Sequence, residues 1–174
     1  MPSIYKIYRI TCSAQYIERF ESYKAQIERR TGYSDANCIR SWHGTVRGCR
    51  VGDRDDGTAL CPPSRCSLCS IIEDSYGASS ESSGERRHAW GRFGTGIYTT
   101  CTSSKAFDSA KEKGGSDYTA LLLNEVTMGE PYYSERNLDD LKKVGLTVLY
   151  VGSSAHSTTT APFRLRLRRR SAWA

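Results

Sequence analysis

Residues 92–115, RFGTGIYTTCTSSKAFDSAKEKGG, constrain the fold of this chain more than any other segment. Two glycines bracket a threonine, and an apolar residue and Tyr98 follow before a short helix is predicted to begin at Ser103 or Ser104. Glycine lets the backbone approach a ligand closely because it has no Cβ atom. A turn that only joins two elements would not need a tyrosine here. The segment therefore predicts a turn that presents bare backbone and the Tyr98 ring to a ligand.

Strand and helix patterns both occur along the chain, and together they predict an α+β fold. Residues 3–10 are rich in Ile and Tyr, as strands are. Residues 13–32 place apolar side chains at steps of three and four and stop at Gly32, which predicts an amphipathic helix. The short helix is predicted to run to Gly114. Further strands are predicted at residues 37–45, 118–129, 146–152 and 163–170. The last of them alternates Arg with Leu, as a half-exposed edge strand would.

The 174 residues are about the size of one domain, so we predict a single domain over residues 1–174. Residues 46–70 are a cysteine-rich insertion with little periodicity, which predicts a loop, and residues 163–174 are an Arg-rich C-terminal tail. No apolar run approaches the ~20 residues that cross a bilayer, and the N-terminus lacks the order of a signal peptide. We therefore expect an intracellular monomer, cytoplasmic or nuclear, without a membrane partner.

The net charge of +6 comes almost entirely from the tail. Five arginines supply five of these charges and leave +1 for the rest of the chain: Arg164, Arg166, Arg168, Arg169 and Arg170. A basic tail is weaker evidence for a nucleic-acid partner than a basic domain surface, because such ends are often only solvated. The charge alone therefore does not assign the protein to nucleic-acid binding.

Four of the cysteines, Cys49, Cys61, Cys66 and Cys69, lie within or beside the predicted loop. In an intracellular chain, closely spaced cysteines indicate a metal site more often than a disulfide. Four thiolates suit tetrahedral zinc, which would fold a loop that has no core of its own. A disulfide, Cys38 as a substitute ligand, and unlinked thiols are the alternatives.

His43 and Gly44 stand at the end of a predicted strand, within WHGT. A lone histidine is usually a packing residue. Alternatively, its ring nitrogens bind a ligand hydroxyl while Gly44 offers bare N–H and C=O groups to a planar amide. Together with Tyr98, this set suits an aromatic ring that carries a carboxamide and is attached to a ribose. Nicotinamide in NAD fits that description.

WHGT, RFGTGIYTT, SSKA and ALLLNEVTMG occur in this order within residues 4–133, which resemble the catalytic domain of the poly(ADP-ribose) polymerase family. The resemblance implies an ADP-ribosyltransferase fold with two antiparallel sheets around a cleft that holds NAD. It implies that His43 binds the adenosine-side ribose, that Gly44 clamps the nicotinamide carboxamide, and that Tyr98 stacks beneath the nicotinamide ring. His43 and Tyr98 would be the catalytic residues, and residues 77–91 would form the loop over the donor. The further NAD-binding residues that it implies are Thr45, Gly96 and Ser104.

The sequence departs from the family pattern at two places. Ala106 and Ser109 stand where members with this motif usually have a serine and a second tyrosine, and a stacked aromatic pair contributes about 0.5–1.5 kcal/mol beyond its burial. The polymerising members also carry a glutamate on a late strand that polarises the acceptor. No Asp or Glu follows Asp140 here. Members without this glutamate generally transfer one ADP-ribose or are inactive.

The resemblance thus implies an NAD-dependent transferase that moves a single ADP-ribose to an unknown protein or nucleic-acid acceptor and releases nicotinamide. Because nicotinamide is already a good leaving group, holding the donor bent and desolvated lowers much of the barrier without a base. Two alternatives stay open. One is an inactive module that binds NAD or ADP-ribose or serves as an interaction scaffold. The other is an RNA 2′-phosphotransferase on the same broad fold.

Overall fold

A computed structural model describes residues 3–76, 97–133, 149–150 and 160–169, and it confirms a mixed helix and strand architecture. The helices are α1 (Ala14–Thr31), α2 (Ser67–Asp74) and α3 (Ser103–Ser109). The strands are β1 (Ile4–Arg9), β2 (Cys38–Gly44), β3 (Val46–Arg47), β4 (Lys111–Glu112), β5 (Tyr118–Thr127), β6 (Tyr132–Tyr133), β7 (Leu149–Tyr150) and β8 (Thr160–Arg169).

One antiparallel sheet of four strands, in the order β1-β8-β5-β2, organises the described part of the chain. The prediction of an edge strand at residues 163–170 is wrong, because β8 lies between β1 and β5. Its Leu165 pairs with Tyr8 on one side and with Leu122 on the other. Alternation of Arg with Leu indicates that the two faces of a strand differ in polarity, but it does not report how many edges of that strand are paired.

The second antiparallel sheet that the resemblance implies is not formed among the described residues. Two short strand pairs lie outside the main sheet there, and both are parallel: β3 with β4, and β6 with β7. The structure therefore supports the α+β class without reproducing the expected pair of antiparallel sheets in the ranges that it describes.

The long helix α1 follows its sequence pattern closely. Phe20 and Ile27, two of the residues in the apolar stripe, are buried. Gly32 ends the helix in the left-handed conformation, with φ of 72°, and its N–H donates to the carbonyl oxygen of Glu28. This helix was predicted correctly because its stop signal and its apolar spacing agree.

Two helical predictions need correction. Residues 46–70 are not all loop, because α2 begins at Ser67. Cys66 is the N-terminal cap of this helix, and its Sγ atom accepts a hydrogen bond from the backbone N–H of Cys69. The other helix, α3, ends at Ser109 rather than at Gly114, and β4 follows at once. No helix in the ranges that the structure describes is both long and apolar enough to span a membrane.

A buried apolar cluster joins α2 to one face of the sheet. It contains Leu68 and Ile71 of α2, Ala120 and Leu122 of β5, and Val51 from the preceding loop. Leu122 is the register partner of His43 on β2. The packing of α2 therefore places the cysteine-rich segment beside the strand that ends in the His-Gly pair.

Candidate functional site

The ring of His43 is held by the backbone of the GIYTT segment. Its Nδ1 lies 2.8 Å from the carbonyl oxygen of Tyr98. A carbonyl oxygen only accepts hydrogen bonds, so Nδ1 carries the proton, and Nε2 of the neutral ring carries the lone pair. The structure thus orients His43 as a side chain whose second nitrogen can accept a hydrogen bond from a hydroxyl group.

The segment around Tyr98 runs antiparallel to β2. Trp42 and Thr100 exchange both backbone hydrogen bonds, at 2.7 and 2.8 Å. This pairing brings the WHGT and GIYTT motifs together although they are far apart in sequence. Tyr98 itself is half-buried. Two parts of the predicted site, Gly96 and the loop at residues 77–91, lie outside the described residues.

Gly44 is in close contact with the backbone of α3. A Cβ atom built there would lie 1.9 Å from the carbonyl oxygen of Ala106 and 3.0 Å from the amide nitrogen of Ala110. The next residue, Thr45, accepts a backbone hydrogen bond from Lys111 at 3.1 Å. Glycine is therefore the residue that lets β2 end directly against α3. Ser104, on the same helix, is exposed.

Replacing Gly44 with alanine is expected to lower the free energy of unfolding by about 1–3 kcal/mol, the usual cost of overpacking. The new methyl group would meet a backbone carbonyl, which cannot rotate away, so β2 and α3 would have to separate. Urea denaturation measures the effect. Gly57→Ala is the matched control, because the nearest atom to its Cβ, the Arg54 carbonyl oxygen, is 3.4 Å away. Equal stability of the two variants would contradict the close contact.

The departure at Ser109 is visible in the structure. Its hydroxyl group donates to the carbonyl oxygen of Lys105 at 3.3 Å, within α3, and the residue is exposed. No aromatic ring stands at this position to face the ring of Tyr98. Ala106, at the other departure, is buried.

The four predicted metal ligands come together as expected. The Sγ atoms of Cys49, Cys61, Cys66 and Cys69 all lie within 4.8 Å of one another, and we call this group the cysteine cluster. All seven cysteines are in the described part of the chain, and none forms a disulfide. Cys38 is not a member of the cluster, because it lies at the start of β2, where its Sγ atom contacts Thr127 at the end of β5. The disulfide and the Cys38 alternatives are therefore wrong for this structure.

The thiols of the cluster differ in their tendency to ionise. Burial raises the pKa of the Cys66 thiol. Hydrogen bonds from the backbone N–H groups of Cys69 and Gly48, at 3.4 and 3.3 Å, together with hydrogen bonds from the neighbouring thiols, outweigh burial and leave the pKa below its usual value. Burial raises the pKa of Cys49 to about 11 and also raises that of Cys69. A cation at the centre would compensate four thiolates that cannot all ionise readily without one.

Arg47 connects the cluster to the sheet. Its side chain is 2% exposed and binds Glu112 at 2.5 Å and Asp53 at 2.9 Å, and it donates to the carbonyl oxygens of Val51 and Tyr118 at 2.9 and 2.7 Å. These partners lie shortly after Cys49 in the chain, on β4, and at the start of β5. The sequence does not reveal the role of this residue, because an isolated Arg in a predicted loop carries no signal of burial.

Tyr76 is the second residue whose role the sequence does not reveal. Its ring makes an edge-to-face contact with the ring of His43, with centroids 5.1 Å apart and an interplanar angle of 82°. It stands two residues beyond α2 and directly before residues 77–91, the predicted loop over the donor. Only the structure shows that this tyrosine lies against the His-Gly strand.

The described residues thus form two groups on neighbouring parts of the fold. The first is the pair of motifs that meet at His43, and the second is the cysteine cluster. The helix α2 begins at the cluster and ends two residues before Tyr76, which contacts His43. A comparison of the chain with protein-family models and with curated proteins found no match.

Proposed function

We propose that this protein binds NAD where β2 meets the GIYTT segment, and that it transfers a single ADP-ribose to an acceptor with release of nicotinamide. The observation that carries the proposal is the hydrogen bond between His43 Nδ1 and the Tyr98 carbonyl oxygen. It joins two of the four motifs that carry the resemblance to the poly(ADP-ribose) polymerase family, and it makes Nε2 the acceptor nitrogen of the neutral ring.

Each residue of the pair of motifs has a distinct role in this proposal. His43 accepts a hydrogen bond from a hydroxyl group of the adenosine-side ribose through Nε2. The backbone of Gly44 binds the nicotinamide carboxamide, and Tyr98 provides the aromatic face for the nicotinamide ring. Thr45, Gly96 and Ser104 support the same site. The absence of an aromatic ring at Ser109 is consistent with stacking on one face of the nicotinamide only.

The reaction breaks the bond between the ribose C1′ atom and the nicotinamide nitrogen. The bonding electron pair leaves with nicotinamide, the ribose passes through an oxocarbenium-like state, and a nucleophilic atom of the acceptor or of water forms the new bond to C1′. The protein contributes by holding the donor in place and excluding water. Residues 141–174 contain no acidic residue. The proposal is therefore restricted to one transfer for each acceptor site.

Nicotinamide release from NAD tests the proposal directly. The purified protein is expected to release nicotinamide, and His43→Ala and Tyr98→Ala are each expected to slow release by about 10²-fold or more, as the misplacement of a bound substrate does. Tyr33→Ala is the matched control for loss of an aromatic ring, because Tyr33 is 47% exposed and lies outside the site. Release that both site variants retain in full would contradict the assignment of these residues.

The alternative is a module that binds NAD or ADP-ribose without turnover. The exposed Ser109 and the acid-free C-terminal segment favour it. The same purified protein separates the two functions. In the alternative, NAD would raise the melting temperature of the wild type, and no nicotinamide would appear.

The cysteine cluster fits a structural zinc site. Four Zn–S bonds of about 2.3 Å in a tetrahedron place neighbouring sulfurs about 3.8 Å apart. The Sγ atom of Cys49 lies 3.8 Å from that of Cys66 and 3.5 Å from that of Cys69. Because protein ligands fill all four positions, we propose a zinc ion that stabilises the loop and α2 and takes no part in the transfer.

A further inference from the structure

The helix α2 begins inside the cysteine cluster. Cys66 is its N-terminal cap, and Cys69 lies in its first turn. Eight residues later the helix ends at Asp74, with its apolar residues packed on the sheet. The cluster therefore fixes the start of a short rigid element, and whatever follows α2 is placed relative to the cluster.

The two residues after α2 adopt an unusual conformation. Ser75 and Tyr76 are both left-handed, with φ of 45° and 68°, although neither is glycine. Consecutive non-glycine residues in this region are strained, and such strain persists only where surrounding contacts impose it. Here the reversal of the chain carries the Tyr76 ring back to the sheet, where it meets the edge of the His43 ring.

Tyr76 also packs against the buried apolar cluster that joins α2 to β5 of the sheet. The residue is half-buried as a whole, but its hydroxyl oxygen is buried. Burial raises the pKa of this hydroxyl group, and Asn124 of β5 acts in the opposite direction. Asn124 in turn donates to the carbonyl oxygen of Ser41 on β2 at 3.4 Å. Tyr76 therefore contacts the same pair of strands that carries His43.

We propose that Tyr76 is a positioning residue, which holds the His43 ring for its ligand from the end of the helix that the cysteine cluster anchors. The Tyr98 carbonyl oxygen restrains Nδ1 of the ring, and the Tyr76 ring packs against the ring itself. The two contacts together limit rotation about the bonds of the His43 side chain. The inference rests on the proposed function only in that the ligand of His43 is the ribose of NAD.

The test compares Tyr76→Phe with Tyr76→Leu in the full chain with its metal bound. Histidine-ring NMR signals report the position of His43 without any ligand, and His43→Gln assigns them among the three histidines of the chain. Tyr76→Leu is expected to shift and broaden the His43 signals and to raise the KM for NAD about tenfold, the equivalent of one positioned hydrogen bond. Tyr76→Phe retains the ring, so the His43 signals and the KM for NAD are both expected to stay close to those of the wild type.

The outcomes separate this inference from the proposed function. His43 signals in Tyr76→Leu that match the wild type would overturn the positioning role, whatever the enzyme does with NAD. A shift of the His43 signals that occurs in Tyr76→Leu but not in Tyr76→Phe supports the positioning role, even if the wild type releases no nicotinamide. A shift that is as large in Tyr76→Phe would also overturn the proposal, because the hydroxyl group and not the ring would then be responsible.

Discussion

Replacing Cys69 with serine is expected to abolish metal binding and to unfold the segment from the cysteine cluster through α2. Structural zinc contributes about 10–16 kcal/mol of apparent binding free energy in small metal-folded domains, which is comparable to the about 5–15 kcal/mol by which whole domains are stable. The wild type should contain one zinc ion per chain by elemental analysis. In the variant we expect no bound zinc and a melting temperature lower by more than about 10 °C.

Two other cysteines provide controls for the loss of the sulfur atom itself. Cys101 is exposed and outside the cluster, and Cys38 contacts Thr127. Cys101→Ser and Cys38→Ser should both keep the zinc content and the melting temperature of the wild type. A strong chelator should reproduce the Cys69→Ser result in the wild type. A wild-type protein that contains no zinc and is indifferent to the chelator would rule out the metal centre.

The cysteine cluster could be predicted from the sequence because its evidence is local. The four cysteines fall within a short segment, and a segment without an apolar pattern needs another source of order. The helix α1 was predictable for the same reason, since its apolar spacing and the stop at Gly32 lie in one continuous stretch. Local patterns of this kind predict the folded structure well, because no distant partner has to be known.

The errors concern features that depend on distant partners. The place of β8 inside the sheet follows from pairing with β1 and β5, which are far away in the chain. The α2 helix depends on packing against β5, and the cysteine pattern around it hid its apolar spacing. Tyr76 and Arg47 gain their roles only from contacts with His43 and Glu112. No propensity scale reports such contacts.

Replacing Arg47 with methionine is expected to lower the free energy of unfolding by about 3–5 kcal/mol, the usual cost of removing one partner from a buried ion pair. Methionine keeps most of the volume but leaves the carboxylate of Glu112, 2% exposed, without its cation. It also removes the donors to the carbonyl oxygens of Val51 and Tyr118. Urea denaturation with zinc bound measures this loss separately from loss of the metal.

The charge left behind, rather than the lost packing, is expected to dominate this effect. Adding Glu112→Gln to Arg47→Met removes the unpaired carboxylate, so the double variant should recover part of the stability that the single variant loses. Arg54→Met is the surface control, since Arg54 is 80% exposed and pairs with Asp56, and such pairs contribute at most about 1 kcal/mol. If Arg47→Met proved no more harmful than Arg54→Met, the contacts of Arg47 with Glu112 on β4 and with Tyr118 on β5 would not hold the cysteine-rich segment in place. The segment would then depend on the metal and on the apolar cluster of Val51, Leu68 and Ile71 with β5, and chelation should destabilise it more than Arg47→Met does.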